Sequence, residues 1–320
     1  MAGAFRARAE KLQSWLFPPV EVYARRPSLA VQLLVACAAA AVFTGLGSLL
    51  PQDGLFAFDW RLFQGEWEAQ AFHPPWTGIL LRALAWPLFA GLSLTGVCLA
   101  VWKRAVHPIS AAASLLTLPL FWTLFLGQMD GLMTLGLLGL PWLAPLALMK
   151  PQVTVFAFAA RRAWLIGLAV FLLLSFLLWG FWPADMFQAL AFYEAGNYEQ
   201  DIALRGWGIP LALVLLWFSR GDMDMLMAAG CFATLHLIPY NLLPLAPAIS
   251  RLRPGPALAA GLFSWLPLLA NWIGPAGWWL GWVFILWLWG ALAWKRAGTG
   301  ARIRNYREKW LLKNTERVQI

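Results

Sequence analysis

The residues of this chain able to do chemistry fall into four short polar stretches within an otherwise apolar sequence. The first is Phe58-Asp59-Trp60, followed by Phe72-His73-Pro74-Pro75-Trp76. A carboxylate between two aromatic residues can have its pKa raised by desolvation, which suits a general base. It can also cap a short helix or face water, and spacing alone favours that plainer role. The second stretch is Gly127-Gln128-Met129-Asp130. Asp130 suits a helix N-cap, whereas an amide such as Gln128 within apolar sequence needs partners or a ligand. The third, Lys150-Pro151-Gln152, has apolar residues on both sides. Lys150 there either meets an anion, phosphate being a natural one, or snorkels to a membrane surface beside Arg161 and Arg162. The fourth holds His236 and Pro239-Tyr240-Asn241, whose polar groups are more often structural than catalytic within a helix bundle.

Other chemistries lack their signatures. The three histidines are far apart, and no His/Glu or Asp/Asp pair has metal-ligand spacing. There is no Gly-rich phosphate loop and no Gly-x-Ser-x-Gly elbow. The expectation is a site without metal or cofactor. Cys37, Cys98 and Cys231 each stand alone in apolar runs, so neither a disulfide framework nor a thiolate metal site is implied. Leu34-Val35-Ala36-Cys37 has the form of a lipoprotein cleavage box, but the apolar run continues past Cys37, which argues against cleavage.

The elements that must position these residues are membrane helices. Of 320 residues, 61% are hydrophobic and 12% charged, about half the charge of a soluble domain. Leu29 to Leu50, Ala83 to Trp102 and Ala163 to Trp182 are continuous apolar runs, each near the ~20 residues that cross a bilayer core. Trp15, Trp60, Trp76, Trp142, Trp182, Trp207 and Trp272 lie at the ends of such runs, as interfacial rings do. The runs do not alternate, which excludes a membrane β-barrel. The net charge of +9 gathers at the termini and in short loops. That distribution points to the anionic cytoplasmic leaflet and its lipids, and to no nucleic-acid partner.

The fold class expected is therefore all-α: a polytopic transmembrane bundle of nine or ten crossings with broken or re-entrant helices. Residues 1–28 form a cytoplasmic amphipathic segment, with Phe5, Leu12, Trp15 and Leu16 on one face. Residues 29–294 form the membrane domain, with outer loops at 51–76 and 183–206. The first loop concentrates Asp53, Asp59, Arg61, Glu66, Glu68 and His73, and the second Asp185, Glu194, Glu199 and Asp201. Residues 295–320 are a basic cytoplasmic tail that Trp310, Leu311 and Leu312 hold to the surface. Pro141, Pro145 and Pro151 break the segment between Asp130 and Arg161, a pattern tolerated where backbone lines a cavity. Both termini are expected inside, in a bacterial inner membrane. Gly127 to Met133 is echoed by Gly221-Asp222-Met223-Asp224-Met225-Leu226-Met227. In so biased a composition, coincidence is the expected explanation.

In order along the chain, these motifs resemble those of the GT-C membrane glycosyltransferases, specifically the polyprenyl-phosphate-mannose-dependent mannosyltransferases of glycosyltransferase family 87. The matching positions are Asp59 after the first span, Phe72-His73-Pro74-Pro75, Gly127-Gln128-Met129-Asp130, Lys150-Pro151 and Pro239-Tyr240-Asn241. The match extends over about residues 30 to 250. The resemblance implies transfer of a sugar, mannose, from a polyprenyl-phosphate donor to an acceptor on the outer face. Asp59 would be the base. His73, Gln128, Asp130, Lys150, Tyr240 and Asn241 would bind substrate, with Lys150 on the donor phosphate. The segment from Gly127 to Arg161 is compressed relative to the family. That motivates a second expectation, a non-catalytic subunit with membrane-protein partners. A third is a transporter, suggested by the broken helices and the echo.

Overall fold

The computed structural model describes residues 2–65, 73–194 and 198–298. Glu66, Glu68 and Phe72, and the tail beyond Gly298 with Trp310, Leu311 and Leu312, lie outside the described residues. Those described form helices, turns and extended connections, with no β-strand among them.

The order of helices is set largely by proline. After α1 (Ala2–Leu16), α2 (Leu29–Gly47) and α3 (Phe58–Gly65) come α4 (Pro75–Arg82) and α5 (Trp86–Arg104). Next are α6 (Pro108–Leu115), α7 (Leu118–Leu126), α8 (Asp130–Leu138), α9 (Ala144–Ala147) and α10 (Pro151–Thr154). The chain continues through α11 (Arg162–Trp179), α12 (Pro183–Glu194), α13 (Ile209–Ser219) and α14 (Met223–Gly230). It then forms α15 (Ala246–Ile249), α16 (Pro254–Phe263) and α17 (Ala270–Ile273). Proline begins α4, α6, α10, α12 and α16, where its missing N–H and preset φ favour helix initiation.

Five described helical segments are long and apolar enough to cross a membrane: Leu29–Gly47, Trp86–Arg104, Arg162–Trp179, Pro254–Ile273 and Pro275–Gly298. A sixth results if α6 and α7, bent by 40° at Leu116-Thr117, count as one span. Against the nine or ten crossings expected, the remaining apolar sequence forms shorter pieces such as Pro151–Ala160, Arg205–Ser219 and Met223–Ala233. Helices are broken as anticipated, between Gly127 and Arg161 above all.

α5 is the central element. Two thirds of its apolar window is buried, against none of α2 and about a tenth of α11, whose exposed leucines and valines suit contact with lipid. Small residues let its neighbours approach backbone to backbone, as membrane helices do. A Cβ placed on Gly91 would sit 2.5 Å from Thr44 Oγ1 of α2. One on Gly131 of α8 would sit 2.4 Å from Ser93 Cβ, and one on Gly96 2.7 Å from Leu135 Cβ. Gly131→Val should therefore cost about 1–3 kcal/mol by overpacking, read as a lowered thermal midpoint in detergent. An unchanged midpoint would show that α5 and α8 separate freely.

The two ends of α5 differ in chemistry. Around the Arg104 end, the basic residues of distant segments converge. Arg25 donates to the Trp102 carbonyl at 2.7 Å, Arg220 to the Trp15 carbonyl at 2.9 Å, and Arg296 to the Phe218 carbonyl at 3.1 Å. There Arg104 and Arg251 enclose two buried carboxylates, Asp222 and Asp224. The Trp86 end meets the left-handed turn at Gly127, behind which lie Gln128 and Asp59.

The echoed segments share a local build. Gly127 and Gly221 both have positive φ, 75° and 78°. Each is followed by a buried Met and a buried Asp in the first turn of a helix or just before it. Each Asp then pairs with a cation from later in the chain, Lys150 or Arg251.

Candidate functional site

Asp59 lies in the first turn of α3. The helix is tied down by the Ala57 N–H, which donates to the Phe125 carbonyl at 2.8 Å. This brings the start of α3 against the end of α7. There the chain must turn in the left-handed region at Gly127, and a side chain would collide with Trp60 at 2.8 Å and Trp86 at 3.0 Å. Glycine meets both demands. The turn delivers Gln128 to Asp59: Gln128 Nε2 donates to Asp59 Oδ2 at 2.6 Å.

Lys150 completes the line. It stands immediately before α10, and its Nζ donates to Gln128 Oε1 at 3.4 Å. It also lies 3.9 Å from Asp130 Oδ2 and 4.5 Å from the centre of the Tyr240 ring. With only 4% of Lys150 exposed, the snorkelling alternative is set aside; its ammonium is held inside by Asp130, Gln128 and the Tyr240 face. Asp130 is wholly buried in the first turn of α8, whose N-cap is Met129, so it serves as the counter-charge to Lys150 rather than as the cap. Asn241 adjoins Asp130. Its Oδ1 accepts from the Ile238 N–H at 2.9 Å and shapes the turn that presents Tyr240.

Asp59, His73, Gln128, Lys150 and Tyr240 line one cavity of about 680 Å³, within the range of small-molecule sites. Asp130 and Asn241 stand behind this lining. His73 packs edge-on against Phe63, with ring centroids 5.4 Å apart. Its pKa is pushed down to about 3, by burial first and then by the charges of Lys150 and His236, so it is neutral at physiological pH. Burial raises the pKa of Asp59 above the ordinary carboxylate value, against the opposing Gln128 hydrogen bond and the Lys150 charge. The carboxylate is thus shifted toward the range useful for proton abstraction.

The same cavity is also lined by two residues that sequence reading did not place in the site, Asp201 and His236. His236 Nδ1 lies 2.9 Å from Asp201 Oδ2, and Asp201 Oδ1 accepts from the backbone N–H of Ala203 at 3.0 Å and Leu237 at 2.8 Å. Burial alone would raise the Asp201 pKa, but these hydrogen bonds and the His236 charge hold it below the ordinary value. Gln152, Tyr198 and Arg205 also face the cavity. The two loops are joined by the Ile202 N–H donating to the Leu237 carbonyl at 2.8 Å. No local spacing announces this pairing; the only signal was polarity in both segments. Among the described residues no group of three or more His, Cys, Asp or Glu is disposed to hold a metal ion.

No protein-family model, no curated protein and no solved structure matches this chain. The geometry therefore carries the functional argument. A deep cation, an amide and a carboxylate with raised pKa form a continuous line in one cavity. Such a line can bind an anionic group at one end and take a proton at the other.

Proposed function

We propose that the chain is a membrane glycosyltransferase that moves a sugar, mannose in our reading, from a polyprenyl-phosphate donor to an acceptor hydroxyl by inverting transfer. The observation that carries this is the Asp59–Gln128–Lys150 line within a single cavity. In the reaction, the acceptor oxygen attacks the anomeric carbon while Asp59 takes its proton. The bond from that carbon to the phosphate oxygen breaks, and its electron pair leaves with the lipid phosphate. Positive charge at Lys150 stabilises that leaving group, so no second acid is needed. Gln128 bridges base and cation and keeps their separation constant, and His73 and Tyr240 wall the sugar site. The non-catalytic subunit reading is less favoured, because such a subunit would have this space filled by side chains.

In the same proposal the protein sits in a bacterial inner membrane with both termini cytoplasmic, and the site opens to the outer face. The basic residues gathered at the Arg104 end of α5 support that orientation.

The test is transfer of label from radiolabelled polyprenyl-phosphate mannose by membranes containing the protein, compared with membranes lacking it. Lys150→Met combined with Asp130→Asn removes both buried charges together and leaves neither unpaired. This double variant should keep its thermal midpoint while its kcat/KM for donor falls about a hundredfold. Transfer with an unaltered kcat/KM would remove Lys150 from the phosphate site, and absence of transfer by the parent would favour the subunit reading.

A further inference from the structure

A second cavity lies at the far end of α5 and is independent of the proposed transfer site. It has a volume of about 930 Å³ and runs along the last helical span, Pro275–Gly298, beside the start of α16. Its wall is apolar, with Trp287, Gly290 and Trp294 along its length, and Trp294 is 83% exposed. Trp287 is held in place by donating Nε1–H to the Pro256 carbonyl at 3.1 Å. Three cations, Arg251, Arg253 and Lys295, line it as well, and no described lining residue is acidic.

This arrangement is built rather than incidental. Arg251 is 5% exposed and is oriented by Asp222 and Asp224, at 2.7–2.8 Å. Its Nε–H remains buried without an acceptor, a state that buried donors rarely tolerate. Lys295 donates to the Arg251 carbonyl and so belongs to the same assembly.

We propose that this groove is a binding site for an anionic glycerophospholipid, its phosphate among Arg251, Arg253 and Lys295 and an acyl chain along Trp287 and Gly290. Charge decides between occupants. Basic pockets between membrane helices suit anionic headgroups on the cytoplasmic side, the side to which the charge rule assigns this end. The chain's own continuation is a poor alternative, because residues 299–320 carry six Lys and Arg against two Glu and would bring like charge to a basic rim.

The fold provides its own test. A Cβ on Gly290 would meet nothing within 4 Å, so Gly290→Phe can fill the groove without disturbing the packing around it. Arg253 is exposed, so Arg253→Gln removes one rim cation at little structural cost. The full chain, delipidated in detergent, would be titrated with phosphatidylglycerol, phosphatidylcholine of the same acyl chains, and polyprenyl phosphate, with bound lipid counted by native mass spectrometry. Phosphatidylglycerol should bind about tenfold or more tightly than phosphatidylcholine, and Arg253→Gln should weaken it about fivefold. Gly290→Phe should abolish its retention. Equal binding of the two phospholipids, retention unaltered in both variants, or displacement of phosphatidylglycerol by equimolar polyprenyl phosphate would each overturn the proposal. None of these outcomes depends on sugar transfer.

Discussion

Asp59→Asn should lower the rate of sugar transfer by about 10²–10⁴-fold, the range contributed by a positioned general base, and leave the protein folded. The substitution keeps the shape and an oxygen that can still accept from Gln128 Nε2, so the Gln128–Lys150 contact persists. What is lost is the ability to take a proton. The pH dependence sharpens the test. Asp59 acts as a base only when ionised, and burial raises its pKa above the ordinary carboxylate value. The acid limb of the parent rate profile should therefore lie at higher pH than for an exposed carboxylate, and it should vanish from any residual activity of the variant. His73, held at about 3, adds no limb between pH 5 and 8. Stability moves in the other direction. A carboxyl group whose folded pKa is raised favours the fold while protonated, and that contribution is lost as pH rises through the folded value. At neutral pH the neutral amide removes this loss, so the thermal midpoint of Asp59→Asn should equal or exceed that of the parent. A folded variant with full activity would remove Asp59 from the mechanism.

The largest expected effect on stability lies at the other end of α5. Arg251→Met should destabilise the protein by about 3–5 kcal/mol, the cost of leaving buried charge without its partner. Arg251 meets Asp222 through both of its terminal nitrogens and Asp224 through one, all at 2.7–2.8 Å. Arg104 approaches Asp224 only at 3.4 Å, too far to replace those contacts. Asp222 also caps α14, accepting from the Asp224 N–H at 3.1 Å and the Met225 N–H at 3.3 Å. Combining Arg251→Met with Asp222→Asn retains the capping oxygen and leaves Asp224 paired with the buried Arg104, so no net charge is stranded and most of the loss should be recovered. Thermal unfolding of the single and double variants in the same detergent measures both. If the single variant melts with the parent, or the double variant melts below the single, the cluster does not hold these segments together by charge.

The sequence by itself determined that the described chain is helical with several membrane-length apolar helices, and it picked out several of the polar residues that line the cavity at Asp59. Apolar runs long enough to span lipid must become helices there, because every backbone donor and acceptor has to be satisfied within the segment. The runs read from Ala83 to Trp102 and from Ala163 to Trp182 accordingly appear as Trp86–Arg104 and Arg162–Trp179, offset by a few residues at their ends. Gln128 and Lys150 were conspicuous as polar residues in apolar surroundings, whereas Asp59 stood among other charges and was marked only by the aromatic residues on either side of it. How many segments reach spanning length was less legible, since hydropathy does not register where a helix breaks: α7 ends at the left-handed turn of Gly127, and Pro119, Pro141 and Pro151 follow the ends of α6, α8 and α9.

Tertiary structure decided what the polar residues do together. Asp59 and Gln128 are 69 positions apart, Gln128 and Lys150 are 22, and Asp201 and His236 are 35. No helical or strand period relates such separations, so only the packing of α3, α7 and α10 and of two distant loops makes them neighbours. The same packing settled two ambiguities that local pattern left open. Asp130 could have been a cap, and Lys150 could have reached for the membrane surface. Enclosed at 0% and 4% exposure, each is constrained by the other's charge, because an ion removed from water must find its counter-charge within the protein.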